Sequence, residues 1–320
     1  MSVDEQSPRS IIVGLLEAAI IVTAVFSVAT TFDFLHRFLE LFSHFRLQYF
    51  VSAFLLTIVF VFLKKNRWTA IGVGTLLLNA SFVVPWYLPF GVADRDEGDI
   101  KLLHANVLAS NDSSLRFIAL LRKESPDIVV MQEATPRWMN SIGEIDALYP
   151  YKIVEARDDP FGIAMYSKFP FDSISVVEAA PLGHPEIVVT AIVGRDRLNI
   201  ISSHPMPPIG ETNYDARNHQ LQGVARLAGR TPGPLVIVGD LNISMWASHY
   251  RKLENKSELR NARKGFGIEP TWPLFLPIAM IPIDHILVSG DIAVTNFETA
   301  TDIGSDHYPV VVSFRLRKQQ

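Results

Sequence analysis

A chain of 320 residues has room for one large domain and something smaller beside it. It has no cysteine, which excludes disulfides, thiol nucleophiles and cysteine-held zinc. The first 93 residues hold six of the 29 basic and five of the 33 acidic residues, so the remainder carries −5 and lacks the broad positive field of a bulk nucleic-acid binder.

Residues 11–31, 47–63 and 68–90 are apolar, and Glu17 is the one charged residue among them. Each approaches the roughly 20 residues that cross a hydrocarbon core, where only helices satisfy their own backbone. Residues 1–90 are therefore expected to be a membrane anchor of three transmembrane helices. No basic region precedes the first stretch, which argues against a cleaved signal peptide. Between the first two stretches, Phe34, Leu35, Phe38, Leu41, Phe42 and Phe45 recur at helical spacing, with Asp33, Arg37, Glu40 and His44 largely opposite. That segment reads as a helix in the membrane interface, or equally as a loop or an extension of a span. Lys64, Lys65 and Arg67 crowd the turn before the third stretch and set it in the cytoplasm. The C-terminal domain then lies on the periplasmic or extracellular side, with Trp86 and Tyr87 at the outer interface. Residues 91–99 carry glycine and charge without periodicity and read as a linker. Its short reach, about 33 Å at most, keeps the domain near the bilayer.

From residue 100 to 320 the pattern becomes α+β. Apolar, Val- and Ile-rich strands are expected at 100–107, 127–131, 161–166, 187–193, 198–202, 235–238, 284–288 and 307–314. Helices are expected at 113–123, 136–145, 213–227 and 245–253, with Thr135 and Ser244 as N-caps and Pro136 at the first turn. Two strands, DIVVMQE and PLVIVGDLN, end alike in carboxylates, a placement that holds polar groups rigidly at a sheet edge.

Six polar clusters punctuate these strands: His104-Ala105-Asn106, Gln132-Glu133, His204 in SSHPMPP, Gly239-Asp240-Leu241-Asn242, Asp284-His285 and Ser305-Asp306-His307. Singly, each is explained by a turn, a cap or a satisfied surface histidine. Together, hard oxygen ligands suit Mg²⁺ or Mn²⁺, and the histidines beside them suit proton transfer or charge stabilisation. No HExxH, GxSxG or Walker A pattern appears.

The order NV, QE, GIAMYSKFP, SSHP, GDLN, TWP, IDHILVS, GSDHYPVVV resembles the endonuclease/exonuclease/phosphatase superfamily over about residues 100–316. The resemblance implies a DNase I-like, four-layer α/β/β/α sandwich and a divalent-metal-dependent phosphodiesterase or phosphatase. It implies metal binding at Glu133, with Asn106 supporting the metal and Asp306 on the metal side. Asp240 and Asn242 match the pair that orients the attacking water and holds phosphate. His307 matches the histidine on the scissile phosphate, Asp284 its orienting partner, and His204 a second histidine. Arg217 matches a helix arginine that contacts phosphate, although a solvated arginine explains it equally. Two positions depart from the pattern: Leu108 stands where many nuclease members carry aspartate, and Tyr166 where a small or aliphatic residue is usual.

The expected chemistry is in-line attack of water on phosphorus with Mg²⁺ or Mn²⁺. The expected partners are a phosphate-ester substrate and the lipid bilayer, with no obligate protein partner. A lipid or small phosphodiester at the outer membrane surface is the preferred substrate. A periplasmic or extracellular nuclease is the alternative, and a non-catalytic tethered binding protein is a third reading, at odds with the intact carboxylates. The loop TWPLFLPIAMIPID packs on its own core in the plainer reading, and dips into lipid or lines a pocket for an acyl chain in the other. The basic stretch RKLENKSELRNARKG is expected to be a solvated helix and loop.

Overall fold

The computed structural model describes residues 8–89, 91–96 and 98–317. Phe90 and Glu97, within the expected third span and linker, lie outside them. The chain forms two compact units, Met1–Pro85 and Trp86–Gln320.

The first unit is helical: α1 (Pro8–Ala29), a 3-10 turn (Thr30–Leu35), α2 (Arg37–Ser43), α3 (Arg46–Phe62) and α4 (Asn66–Val83). Among the described residues, two stretches, Arg9–Leu35 and Asn66–Trp86, are long and apolar enough to cross a membrane. The expected second span differs. α3 has 17 residues and reaches spanning length only with α2, from which it bends by 61°. The segment before α3 is inside out: Phe34, Leu35, Phe38 and Phe42 are exposed, whereas Asp33 and Glu40 are buried. Polar groups also join the helices. Arg46 Nη1 donates to the Ser27 carbonyl at 2.8 Å, and Asn79 Nδ2 donates to Ser27 Oγ at 2.7 Å.

The second unit contains two six-stranded sheets. The first runs β11 (Ile292–Thr299), β12 (Val310–Leu316), β1 (Ile100–Asn106), β2 (Ile128–Gln132), β4 (Ile163–Ser167), β3 (Tyr151–Glu155). The second runs β5 (Phe171–Ala179), β6 (His184–Val193), β7 (Asp196–Ser202), β8 (Leu235–Asp240), β10 (Asp284–Val288), β9 (Arg260–Asn261). The sheets share one internal plan. Each has a single parallel pair at its centre, β1 with β2 and β7 with β8, and is antiparallel elsewhere. β2 and β8 hold equivalent places, which is why their two sequences end alike.

Alternation along the strands builds the layers. Leu102, Val130, Ile200, Val236, Val238 and Ile286 share one apolar cluster between the sheets. Leu103, Val129 and Met131 point the other way, onto Phe117 and Leu121 of α5 (Ser114–Glu124) and Trp138 of α6 (Pro136–Ser141). α7 (Glu211–Ala228) and α8 (Ser248–Ser257) pack together beside the second sheet, where Gln220 of α7 donates to Glu186 of β6 and Asn261 of β9 donates to Tyr250 of α8. Thr135 caps α6 as expected, accepting from Trp138 N–H at 3.2 Å. Ser244 does not cap α8, which begins at Ser248 behind an extended Ala247.

Candidate active site

The parallel register sets Asn106 beside Gln132 at the ends of β1 and β2, and the antiparallel register sets Asp240 opposite Asp284 at the ends of β8 and β10. Gln132 joins the sheets: its Oε1 accepts from Asp240 N–H at 2.7 Å, and its Nε2 donates to the Ser203 carbonyl at 2.8 Å. Gly239 makes this approach feasible. At φ 156°, a Cβ there would come within 2.1 Å of Ser203 O and 2.4 Å of Gln132 Nε2.

Asp240 is the centre. Its Oδ1 accepts from Asn242 N–H at 2.9 Å, and its Oδ2 accepts from Asn106 Nδ2 at 3.2 Å. The Nε2 atoms of His204 and His307 each stand 3.6 Å from that same Oδ2. This is longer than a hydrogen bond, so both imidazoles face a shared space beside the carboxylate. His307 Nδ1 donates to Asp284 Oδ2 at 2.8 Å, and His104 Nε2 donates to Asp284 Oδ1 at 3.0 Å. Asp284, fully buried, is thus clamped between two imidazoles. Burial alone would raise its carboxyl, but the charge of His307 and the bonds from both histidines hold it well below the ordinary range. For His307, burial opposes the charge, yet Asp284, Asp240 and Asp306 outweigh it and lift the imidazole to about 10. The ring is therefore an imidazolium at neutral pH.

A second group of oxygens adjoins Asp240. Asn106 Nδ2 also donates to Glu133 Oε1 at 3.0 Å, and Ala109 N–H donates to Glu133 Oε2 at 2.8 Å. Glu133 sits at φ 60°, a left-handed conformation that costs a side-chain residue on the order of 1–3 kcal/mol and is typical of functional sites. Ser305 Oγ donates to the Asn106 carbonyl at 2.8 Å and brings Asp306 alongside. Asp306 Oδ2 accepts from Trp272 Nε1 at 2.9 Å, while its Oδ1 is buried without a hydrogen-bond partner. A buried carboxylate oxygen without a hydrogen bond, in a site that also holds the Glu133 carboxylate, suits a hard cation that keeps most of its waters. Asp240, Asp284 and His307 also offer ligand atoms within 4.8 Å of one another. In either set carboxylate oxygens already accept hydrogen bonds, from two imidazoles at Asp284 and from Asn106 and Ala109 at Glu133.

Asn106, Glu133, His204, Asp240, Asn242, Asp284, Asp306 and His307 thus form one linked constellation. Asn242 holds the loop after β7, its Nδ2 donating to the Pro205 carbonyl at 3.0 Å. Arg217 takes another place than the phosphate-contacting one expected. It is fully buried, its Nη1 donates to the Asn242 carbonyl at 2.9 Å, and it braces the turn from behind. Tyr166 lies away from the site, buried against Tyr149 with ring centroids 6.1 Å apart. The basic stretch is not uniformly solvated either: Arg263 is buried and donates to the Asp284 carbonyl at 2.9 Å. His104, Gln132 and Trp272 belong to the site although sequence reasoning gave them no role. The only signal was their place at strand ends and in the TWP motif.

Residues 103–307 match the profile of the Endonuclease/Exonuclease/phosphatase family. No curated protein matches the chain in sequence. Among solved structures, D. rerio TDP2 complexed with single-strand DNA product superposes with TM-score 0.60 at 14% identity, over 69% of this chain and 100% of that one. The endonuclease/exonuclease/phosphatase from Beutenbergia cavernae gives 0.55 at 19% identity, over 68% and 72%. Its counterpart from Bacteroides vulgatus gives 0.56 at 19%, over 68% and 99%. At such identities the likeness is one of fold. The family match covers well over half the chain, and the protein belongs to the endonuclease/exonuclease/phosphatase family of phosphoester hydrolases.

Proposed function

We infer that this protein is a membrane-tethered, divalent-metal-dependent phosphodiesterase acting on a lipid or small phosphodiester at the outer membrane surface. The observation that carries the chemistry is the convergence of His204 and His307 on one oxygen of Asp240. In this reading, Asp240 orients the attacking water and takes its proton. The His307 imidazolium, held by Asp284 and His104, donates to a phosphate oxygen as charge builds there. His204, facing the same Asp240 oxygen, donates to the leaving oxygen. Glu133 and Asp306, with Asn106 beside them, would hold Mg²⁺ or Mn²⁺, which neutralises charge on the phosphate oxygens when bound. The tether is carried by Arg9–Leu35 and Asn66–Trp86 with the bent pair α2–α3 as a third crossing between them, and the basic turn at Lys64 and Lys65 then supports a cytoplasmic start with the catalytic unit outside.

D. rerio TDP2 bound to a single-strand DNA product favours a second reading, a nuclease acting on single strands. A panel decides between them. The full chain in nanodiscs would be given Mg²⁺ or Mn²⁺ with bis-nitrophenyl phosphate, nitrophenyl phosphate, single- and double-stranded DNA, RNA and phospholipid vesicles. Metal-dependent diester turnover, cut at least about 10²-fold by both Glu133→Ala and His307→Ala, is expected. Preference for single-stranded DNA over lipid moves the assignment to the nuclease. Turnover untouched by either substitution overturns both.

A further inference from the structure

The loop of residues 272–283 is firm at its base and bare at its tip. Thr271 and Trp272 N–H groups both donate to the Ile281 carbonyl at 3.1 Å. The loop is tied to the site as well, because Trp272 Nε1 and Leu274 N–H donate to Asp306 Oδ2 and O. Yet Phe275 and Ile278 are 76% and 81% exposed, and Leu276 is exposed between them. On the loop that follows His204, Ile209 is 79% exposed. The 272–283 tip gathers three bare apolar side chains within four residues, more than the single exposed side chains that are ordinary on a surface.

Trp86 indicates what covers them. It closes Asn66–Trp86, one of the stretches long and apolar enough to cross a membrane. Its carbonyl accepts from Gly265 and Gly267 N–H, both at 2.9 Å, and the Lys264 ammonium lies 5.9 Å from its ring centroid. The exposed Tyr87 follows, its ring against Gly267. Trp, Tyr and Lys gathered at the end of an apolar span mark the boundary between lipid and water. Eight residues lead from Gly267 to Phe275, at most about 29 Å of chain. The bare loop is thus leashed to that boundary by the catalytic unit's own chain.

We propose that the tip at Phe275, Leu276 and Ile278 docks into the interfacial layer of the bilayer and presents the site to phospholipid head groups. This rests on reading the chain as a membrane-tethered phosphodiesterase. Because the protein has no cysteine, single reporters have no background. Full chains carrying Phe275→Cys or Ile278→Cys would be spin-labelled in phosphatidylcholine–phosphatidylglycerol nanodiscs, and label access to oxygen compared with a water-soluble nickel complex. Leu77→Cys, exposed on α4, serves as the lipid reference, and Arg195→Cys, in the β6–β7 turn at the other end of β7 from His204, as the water reference. Labels at both 275 and 278 are expected to favour oxygen, as at 77. Labels at 275 and 278 as open to nickel as at 195 overturn the docking. The readout needs no turnover, so it separates the two ideas. A chain that docks and hydrolyses nothing disproves the enzyme reading alone, and one that hydrolyses soluble diesters with its loop in water disproves the docking alone.

Discussion

His104, Asp284 and His307 show how one buried carboxylate sets the state of an imidazole in the candidate site. Asp284→Asn removes the charge that keeps His307 protonated, so kcat on bis-nitrophenyl phosphate is expected to fall about 10²- to 10⁴-fold; a value within threefold of wild type would sink the role given to the pair. For the metal, Glu133→Gln and Asp306→Asn should weaken Mn²⁺ binding in calorimetry at least tenfold while the thermal transition persists. His285 tells the opposite story from His307. Burial and the neighbouring Arg263 push it down to about 3. The ring is needed neutral: Nε2–H donates to the Ile243 carbonyl at 2.7 Å, and Nδ1 accepts from Asn261 Nδ2 at 3.0 Å. A folded pKa below the unfolded one gives stability that is present above about 6.5 and lost as pH falls toward 3, with a slope of roughly 1.4 kcal/mol per unit from this group. The acid limb of the melting temperature should therefore be shallower in His285→Gln, and equal limbs would refute the assignment. At this scale the strand-end polar groups were legible because six clusters recur at the ends of apolar runs in one chain, where each alone passes for a turn or a cap. Arg217 was not, because periodicity places a residue on a helix face without saying whether that face meets substrate or a backbone carbonyl.

Among the elements, the runs of Val and Ile revealed the strands buried on both faces, such as β1, β2, β8 and β10. β5 escaped notice because most of it is exposed and its polar residues match no simple alternation; β11 escaped because a bulge between Val294 and Asn296 breaks its period. The shared plan of the sheets was hinted at only by the like endings of β2 and β8. That plan gives Gly239 its importance at the crowded end of β8. Gly239→Ala must displace backbone at Ser203, and a loss of roughly 2–4 kcal/mol is expected by thermal or denaturant unfolding. A loss under about 1 kcal/mol would mean the sheets separate there more easily than their contacts imply.

For the molecule as a whole, hydropathy predicts an anchor over residues 1–90, and the chain forms two compact units that part after Pro85. Hydropathy could not show that α2 bends away from α3 or that Asp33 and Glu40 turn inward, because both are facts of packing. With two stretches fit to span, the protein should stay in the pellet after alkaline carbonate and leave it only with detergent; release by carbonate alone would refute the anchor. Gln132 has a consequence at this scale. Its side chain is the latch between two halves that each carry an incomplete set of reactive groups: Glu133 and Asp306 come from one, His204 and Asp240 from the other. Hydrolysis therefore works as a coincidence detector for assembly, silent in any chain whose halves have formed but not closed on each other.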